Sequence, residues 1–311
     1  MQPEDSEQLS LFSSTDTSKD RTSGKGDFSS QSKPLKVGST AVEYVDSKSL
    51  LTFPGGFIKA YKFTLNPYTG CSFGCNYCYA RFFAPTLDKQ EDWGNWVKVK
   101  ENAVDLLRRA RRARSNERRL EEGDTIYMSS VTDPYQPIEH KVQLTRNLLE
   151  ELVEVQPRLT IQTRSPLALR DIDLFRQFQH IRINYTIPTD SEKIRERYEP
   201  HCPSVEVRLK AAKDVAEAGI PIGISISPML PIKDAEKFGQ RIAELQASEY
   251  VTQFFKPTRS RFRAGSSSES IEKMQEDNWT ETDYQRVRET ISSILGTEYP
   301  LLEGNEGYAP V

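Results

Sequence analysis

Three cysteines within eight residues constrain this chain more than any other feature of its 311 residues. Residues 66–83 read Asn-Pro-Tyr-Thr-Gly-Cys-Ser-Phe-Gly-Cys-Asn-Tyr-Cys-Tyr-Ala-Arg-Phe-Phe, which puts Cys71, Cys75 and Cys78 at C-x3-C-x2-C spacing. The small residues beside them, Gly70, Ser72, Gly74 and Asn76, let the backbone curl so that three thiolates converge. Soft thiolates select iron–sulfur clusters, zinc or copper(I). A zinc site needs a fourth ligand, usually from a second Cys/His pair. A conventional four-iron cluster takes four cysteines. The remaining cysteine, Cys202, stands far downstream beside His201. Three thiolates with no local fourth point to a [4Fe-4S] cubane with one iron open to chemistry.

This run resembles the signature of radical S-adenosylmethionine (SAM) enzymes. In that family the open iron chelates SAM, and an electron from the cluster splits the sulfonium. The products are methionine and a 5′-deoxyadenosyl radical that abstracts a substrate hydrogen. The resemblance implies the same activity here, with a [4Fe-4S] cluster on Cys71, Cys75 and Cys78, S-adenosyl-L-methionine as cofactor and an external electron donor. It places Tyr77 near the adenine. A non-catalytic iron–sulfur or zinc protein, acting in electron transfer or as a scaffold, is the reading from another class.

The length suits one large domain with tails, or at most two domains. Hydrophobic residues make up 36% and mean hydropathy is −0.63, a deficit concentrated at the chain ends. A net charge of −3 gives no global electrostatic case for nucleic acid. No apolar run is long enough to span a bilayer, and no secretory pattern opens the chain. With clustered cysteines, this leads us to expect a reducing cytoplasm.

Residues 1–40 are polar and without period, which predicts a disordered tail. Within it Gln8, Leu9, Leu11 and Phe12 resemble the pentapeptide by which bacterial repair and replication proteins bind the sliding clamp. From there, strands are expected at 57–65, 125–129, 158–163, 181–187, 222–226 and 250–255, alternating with helices, the pattern of a parallel sheet with crossovers. The expected division is a core over residues 41–256 and a C-terminal extension over 257–311. A helix over 101–114 carries Arg108, Arg109, Arg111, Arg112 and Arg114 on one face. That face either tracks a phosphate backbone or is simply solvated, since acids flank it.

The order of the cysteine loop, Ser-Ser-Val-Thr-Asp-Pro-Tyr-Gln-Pro, Thr-Arg-Ser-Pro, Tyr-Glu-Pro-x-x-Pro-Ser and Gly-Ile-Pro-x-Gly looks like the radical SAM branch that includes spore photoproduct lyase, a DNA-repair enzyme. The resemblance implies an α/β fold, a partial (β/α)6 TIM-like barrel open on one side. It also implies SAM contacts from Thr132, Asp133, Arg164, Asn184 and Ser227 at strand ends. Tyr77 and Tyr79 match a tyrosine pair tied to the lyase's radical relay, or else pack the loop. Two departures stand out. Ser130 occupies the place of the lyase's hydrogen-donating cysteine, and Arg164 that of a lysine. Cys202 either supplies the missing thiol or is a small buried hydrophobe.

Overall fold

The computed structural model describes residues 33–114, 117–255 and 267–311. The clamp-like segment at Gln8, Leu9, Leu11 and Phe12 and the basic stretch 256–266 lie outside these residues. The strands are β1 (Lys36–Val37), β2 (Thr40–Val45), β3 (Leu51–Thr52), β4 (Phe63–Leu65), β5 (Tyr68–Thr69) and β6 (Trp96–Lys100), followed by β7 (Thr125–Met128), β8 (Arg158–Thr163), β9 (Ile181–Thr186), β10 (Ile222–Met229), β11 (Glu249–Phe254) and β12 (Leu301–Glu303). The principal helices are α1 (Ala103–Arg112), α2 (Leu144–Val153), α3 (Glu192–Tyr198), α4 (Val205–Glu217), α5 (Ala235–Ala243), α6 (Ser268–Glu276) and α7 (Glu281–Leu295). Among the described residues no helix is long and apolar enough to cross a membrane.

The larger sheet has the order β12-β11-β10-β9-β8-β7-β4-β3. From β4 through β12 each neighbour pair is parallel, and β3 closes one edge antiparallel. This is a partial β/α barrel, and its six expected strands follow the expected order. The first is shorter than its pattern: residues 56–58 form a 3-10 turn, and pairing begins only at Phe63.

Two parts of the architecture had not been expected. A four-stranded sheet, β1-β2-β6-β5, stands beside the barrel, with β5 leading directly into the cysteine loop. Its first strands begin at Lys36 and Thr40, within the stretch read as tail. The C-terminal extension also adds a strand to the large sheet. The helix α7, started by a Thr280/Asp283 capping box, packs on α5 and delivers β12 parallel to β11. Three half-buried residues carry too little period for a strand to be read from them.

The two faces of the large sheet differ in chemistry. One is apolar and buried beneath the helices, with Ile126, Leu159, Ile183 and Ile224 all at 1% exposure or less. The other lines the barrel interior and is polar. There Tyr127 donates to Gln162 (2.8 Å), Gln162 to Thr186 (2.6 Å), and Arg182 to Asn184 (2.9 Å). The C-terminal segment forms the floor of this interior. The Ala309 carbonyl accepts from Arg182 (2.7 Å) and from the Tyr61 hydroxyl (2.9 Å), while the Ala309 N–H donates to Glu249 (3.0 Å).

Arg182 and Glu249 form a buried ion pair at 2.9 Å, their side chains 7% and 5% exposed. Removing one partner leaves the other charge buried, at a cost of about 3–5 kcal/mol. Glu249→Ala strands a guanidinium that cannot shed its proton, so its urea-unfolding midpoint falls by an amount equivalent to that range. A midpoint unchanged from wild type would contradict this account of the floor.

Candidate active site at the cysteine loop

The loop carrying Cys71, Cys75 and Cys78 begins where β5 ends, and two glycines set its path. Gly70 has a φ of +82°, and a Cβ there would meet the Trp96 carbonyl oxygen at 2.7 Å. Gly74, with a φ of +57°, passes so close to Gly94 that a Cβ would lie 3.1 Å from its Cα. Only a residue without a side chain fits both the backbone conformation and the space. The Gly74 N–H then donates to Cys71 O (3.2 Å) and the Cys78 N–H to Cys75 O (3.1 Å).

Neighbouring elements pin this curl from outside. Gln136, buried in the loop after β7, accepts from the Ser72 N–H (2.9 Å), and its amide nitrogen donates to Thr132 Oγ1 (3.1 Å). Thr132 in turn donates to Gly70 O (2.6 Å). On the other side the Asn76 N–H donates to Tyr198 O (2.9 Å), and the Ser267 hydroxyl donates to Asn76 O (2.7 Å). The loop also has its own apolar packing, in which Phe73, Tyr198, Leu230, Phe255 and Met274 surround Cys71 and Cys75.

Asp133 does not face the open edge. Its carboxylate accepts from the Tyr135 N–H (2.9 Å), the Thr163 hydroxyl (2.8 Å) and the Arg164 N–H (3.0 Å), tying the end of β7 to the end of β8. Burial raises its pKa, an effect that the Arg164 charge and these donors partly offset. Arg164 turns into the cysteine loop. Its Nη1 lies 2.8 Å from Cys75 Sγ, 2.6 Å from Glu199 and 3.1 Å from the Tyr77 hydroxyl.

The two tyrosines of the loop have separate surroundings. Tyr77 is buried and donates to Glu199, whereas Tyr79 is 37% exposed and donates to the Ser130 carbonyl. Thr132, Asp133 and Arg164 therefore gather at the loop. Asn184 does not, for it lies lower in the barrel with its oxygen on Arg182. Ser227 lies within β10, where its pairing with β11 shifts register, beside the Tyr308 hydroxyl, which also meets Ser225 at 2.9 Å. Cys202 is buried against the loop, its Sγ 3.5 Å from Cys75 Sγ and 3.9 Å from Phe73 O.

Gln136, Glu199, Arg208 and Tyr308 are the residues that sequence reasoning missed. The first two sat inside recognised motifs, but nothing in a linear pattern says that their side chains turn toward the cysteines. The arginine face of α1 takes no part in the site. Arg108 and Arg111 both pair with Glu151 of α2, each at 2.8 Å.

The donor set fits an iron–sulfur cluster. A tetrahedral zinc with ~2.3 Å Zn–S bonds holds thiolates about 3.8 Å apart. Among the described residues, the ligand atoms gathered within 4.8 Å of one another are those of Cys75, Glu199 and Cys202. The loop's three thiols are spread wider, and the Arg164 cation sits at the tight trio, where a lone metal ion would be repelled. Burial pushes the Cys71 thiol up, with the Asp133 carboxylate adding to it, and burial likewise raises Cys78. Coordination reverses that penalty, because a metal-bound thiol is deprotonated outright.

If the external anchors shape the loop, Gln136→Leu should retain its circular dichroism spectrum but bind less iron and sulfide than wild type on anaerobic reconstitution. The Ser72 N–H loses its acceptor, at about 1–3 kcal/mol. Full loading in that variant would remove Gln136 from the site.

Comparison with known proteins follows the geometry. The family model for the radical SAM superfamily matches residues 65–242. An uncharacterized protein of Methanocaldococcus jannaschii is 40% identical over 170 residues, covering 55% of this chain and 61% of that protein. An uncharacterized protein of Mycobacterium tuberculosis is 26% identical over 222 residues, covering 69% and 64%. The chain thus spans somewhat under two thirds of the length of these curated relatives. Among solved structures, a spore photoproduct lyase variant with bound AdoMet and dinucleoside spore photoproduct aligns at TM-score 0.60 and 17% identity, covering 88% of this chain and 86% of that one. A tyrosine-to-phenylalanine variant of the same lyase aligns at TM-score 0.60 and 16% identity, covering 84% and 81%. With a match over more than half its length, and three loop cysteines at the edge of a partial β/α barrel, this chain belongs to the radical SAM superfamily.

Proposed function

We propose that this chain is a radical SAM enzyme in which Cys71, Cys75 and Cys78 hold a [4Fe-4S] cluster. The observation that carries the reading is the loop itself: three thiols held apart at the carboxyl edge of a parallel barrel, the edge where such folds place their chemistry. When bound, the cluster and SAM supply a 5′-deoxyadenosyl radical by one-electron cleavage of the sulfonium. The chain's residues shape the chamber for it. Thr132 and Gln136 hold the loop's first turn, and Asp133 fixes the backbone from which Arg164 reaches Cys75. Tyr79 and Ser130 meet at the exposed mouth.

Within this class a nucleic-acid substrate is favoured by one surface feature. Tyr79 and Phe83, 37% and 50% exposed, meet edge to face beside the cysteine loop. Exposed aromatics stack on bases at about 1–3 kcal/mol per base. Among the fold's neighbours, the lyase structure carries a dinucleoside photoproduct. The lyase's thiol relay is not part of the proposal. Ser130 stands at the cysteine's place, and the Cys202 thiol is buried behind Cys75.

Anaerobic reconstitution followed by reduction and SAM is expected to yield 5′-deoxyadenosine, and a Cys71/Cys75/Cys78 triple alanine variant none. Zinc loading without iron, or a full reducible cluster that never cleaves SAM with any substrate offered, would overturn the proposal. For the substrate class, Phe83→Ala should weaken binding of single-stranded DNA by about 1–3 kcal/mol in fluorescence anisotropy at fixed salt. Equal affinity would argue against a base platform at the mouth.

A further inference from the structure

We propose that Arg164, held in place by Glu199 and Arg208, sets the reduction potential of the cluster through a charged hydrogen bond to Cys75 Sγ. This role rests on the cluster reading above.

Arg164 brings a positive charge to the cysteine loop. Glu199 faces two guanidiniums, Arg164 at 2.6 Å and Arg208 at 2.6 Å. The side chains of Glu199 and Arg208 are fully buried, and that of Arg164 is 16% exposed. Glu199 thus holds both guanidiniums. Asp133 acts on the Arg164 guanidinium through space, while its oxygens accept from Tyr135, Thr163 and the backbone N–H of Arg164. The Tyr77 hydroxyl lies 3.1 Å from the same guanidinium nitrogen. Arginine cannot neutralise itself by losing a proton, and an uncompensated buried charge is costly. The same guanidinium has its Nη1 2.8 Å from Cys75 Sγ, so a cluster held there would meet a fixed cation at one of its sulfurs.

The guanidinium is fixed from both ends. Its backbone hangs from Asp133, and Glu199 is anchored by Arg208. Arg208 itself is locked by donating to Pro203 O (2.9 Å) and Thr186 O (3.2 Å). A charged donor to sulfur is about twice as strong as a neutral one. Hydrogen bonds to the sulfurs and net charge are the levers by which a protein sets cluster potentials. Reduction adds one negative charge beside a fixed cation, so Arg164 favours the reduced state and raises the potential.

The test is a potentiometric titration followed by electron paramagnetic resonance, without SAM, on reconstituted wild type, Arg164→Lys, Arg164→Met and Glu199→Gln, with iron content measured for each. At the wild-type midpoint the reduced-to-oxidised ratio should fall about tenfold in Arg164→Met, a shift of ~59 mV for one electron. Arg164→Lys, which keeps the charge, should shift less in the same direction, and Glu199→Gln, which removes an anion beside the same cations, should move the midpoint above wild type. An unmoved midpoint in an iron-replete Arg164→Met protein overturns the role. If that variant does not load iron, a wild-type midpoint in Arg164→Lys overturns it, and a lowered one supports it. Wild-type protein that takes up no iron overturns the cluster reading and this role with it.

Discussion

An irregular loop cannot satisfy its own backbone, so its shape is dictated by whatever holds it. In this chain the curl around Cys71, Cys75 and Cys78 is set by contacts from distant parts of the sequence. Trp96 crowds Gly70, Gln136 captures the Ser72 N–H, and the end of α3 receives the Asn76 N–H. Ser267, ahead of α6, closes the other side. None of these groups belongs to the loop's own neighbourhood in sequence. The positions of the three thiols are therefore a product of the assembled barrel, and the active edge is only as well defined as the packing of the strands and helices behind it.

The same dependence governs the electrostatics. The carboxylate most deeply involved, Glu199, is a turn residue after α3, and its partners come from the end of β8 and from within α4. Asp133, which a strand-end reading places toward the cofactor, instead braces one strand end against the next. Polar residues at this edge thus fall into two groups. Some present groups to the chamber, and others hold those groups still, and the two kinds have the same appearance in a linear motif.

How much could be read from the sequence follows from that distinction. The cysteine loop and the six barrel strands were legible because their signals are local. Spacing alone marks the thiols, and alternation such as Ile181, Ile183, Tyr185 marks a strand with one buried face. The second sheet was missed although Trp96–Lys100 alternates, because five residues between turns weigh little without a partner in view. Asn184 was legible as a polar residue on an inward face, but the sequence does not say at which depth. Its register opposite Gly223, near the start of β10, puts it toward the floor. Cys202 looked isolated by 124 positions from Cys78 in number only, since the chain folds its thiol onto Cys75.

The polar interior and its C-terminal floor have a consequence for how the molecule is built. The contact between Tyr61 and Ala309 bridges 248 positions, the kind of closure whose entropic cost comes before its reward. A barrel with an oily interior could not wait for such a contact without exposing its core. Here the apolar packing lies between sheet and helices, and the lumen is walled by hydroxyls, amides and one ion pair. Water can occupy that lumen at little cost until the last segment docks. The order of assembly is thereby relaxed: the outer shell can consolidate first and the base can be sealed last.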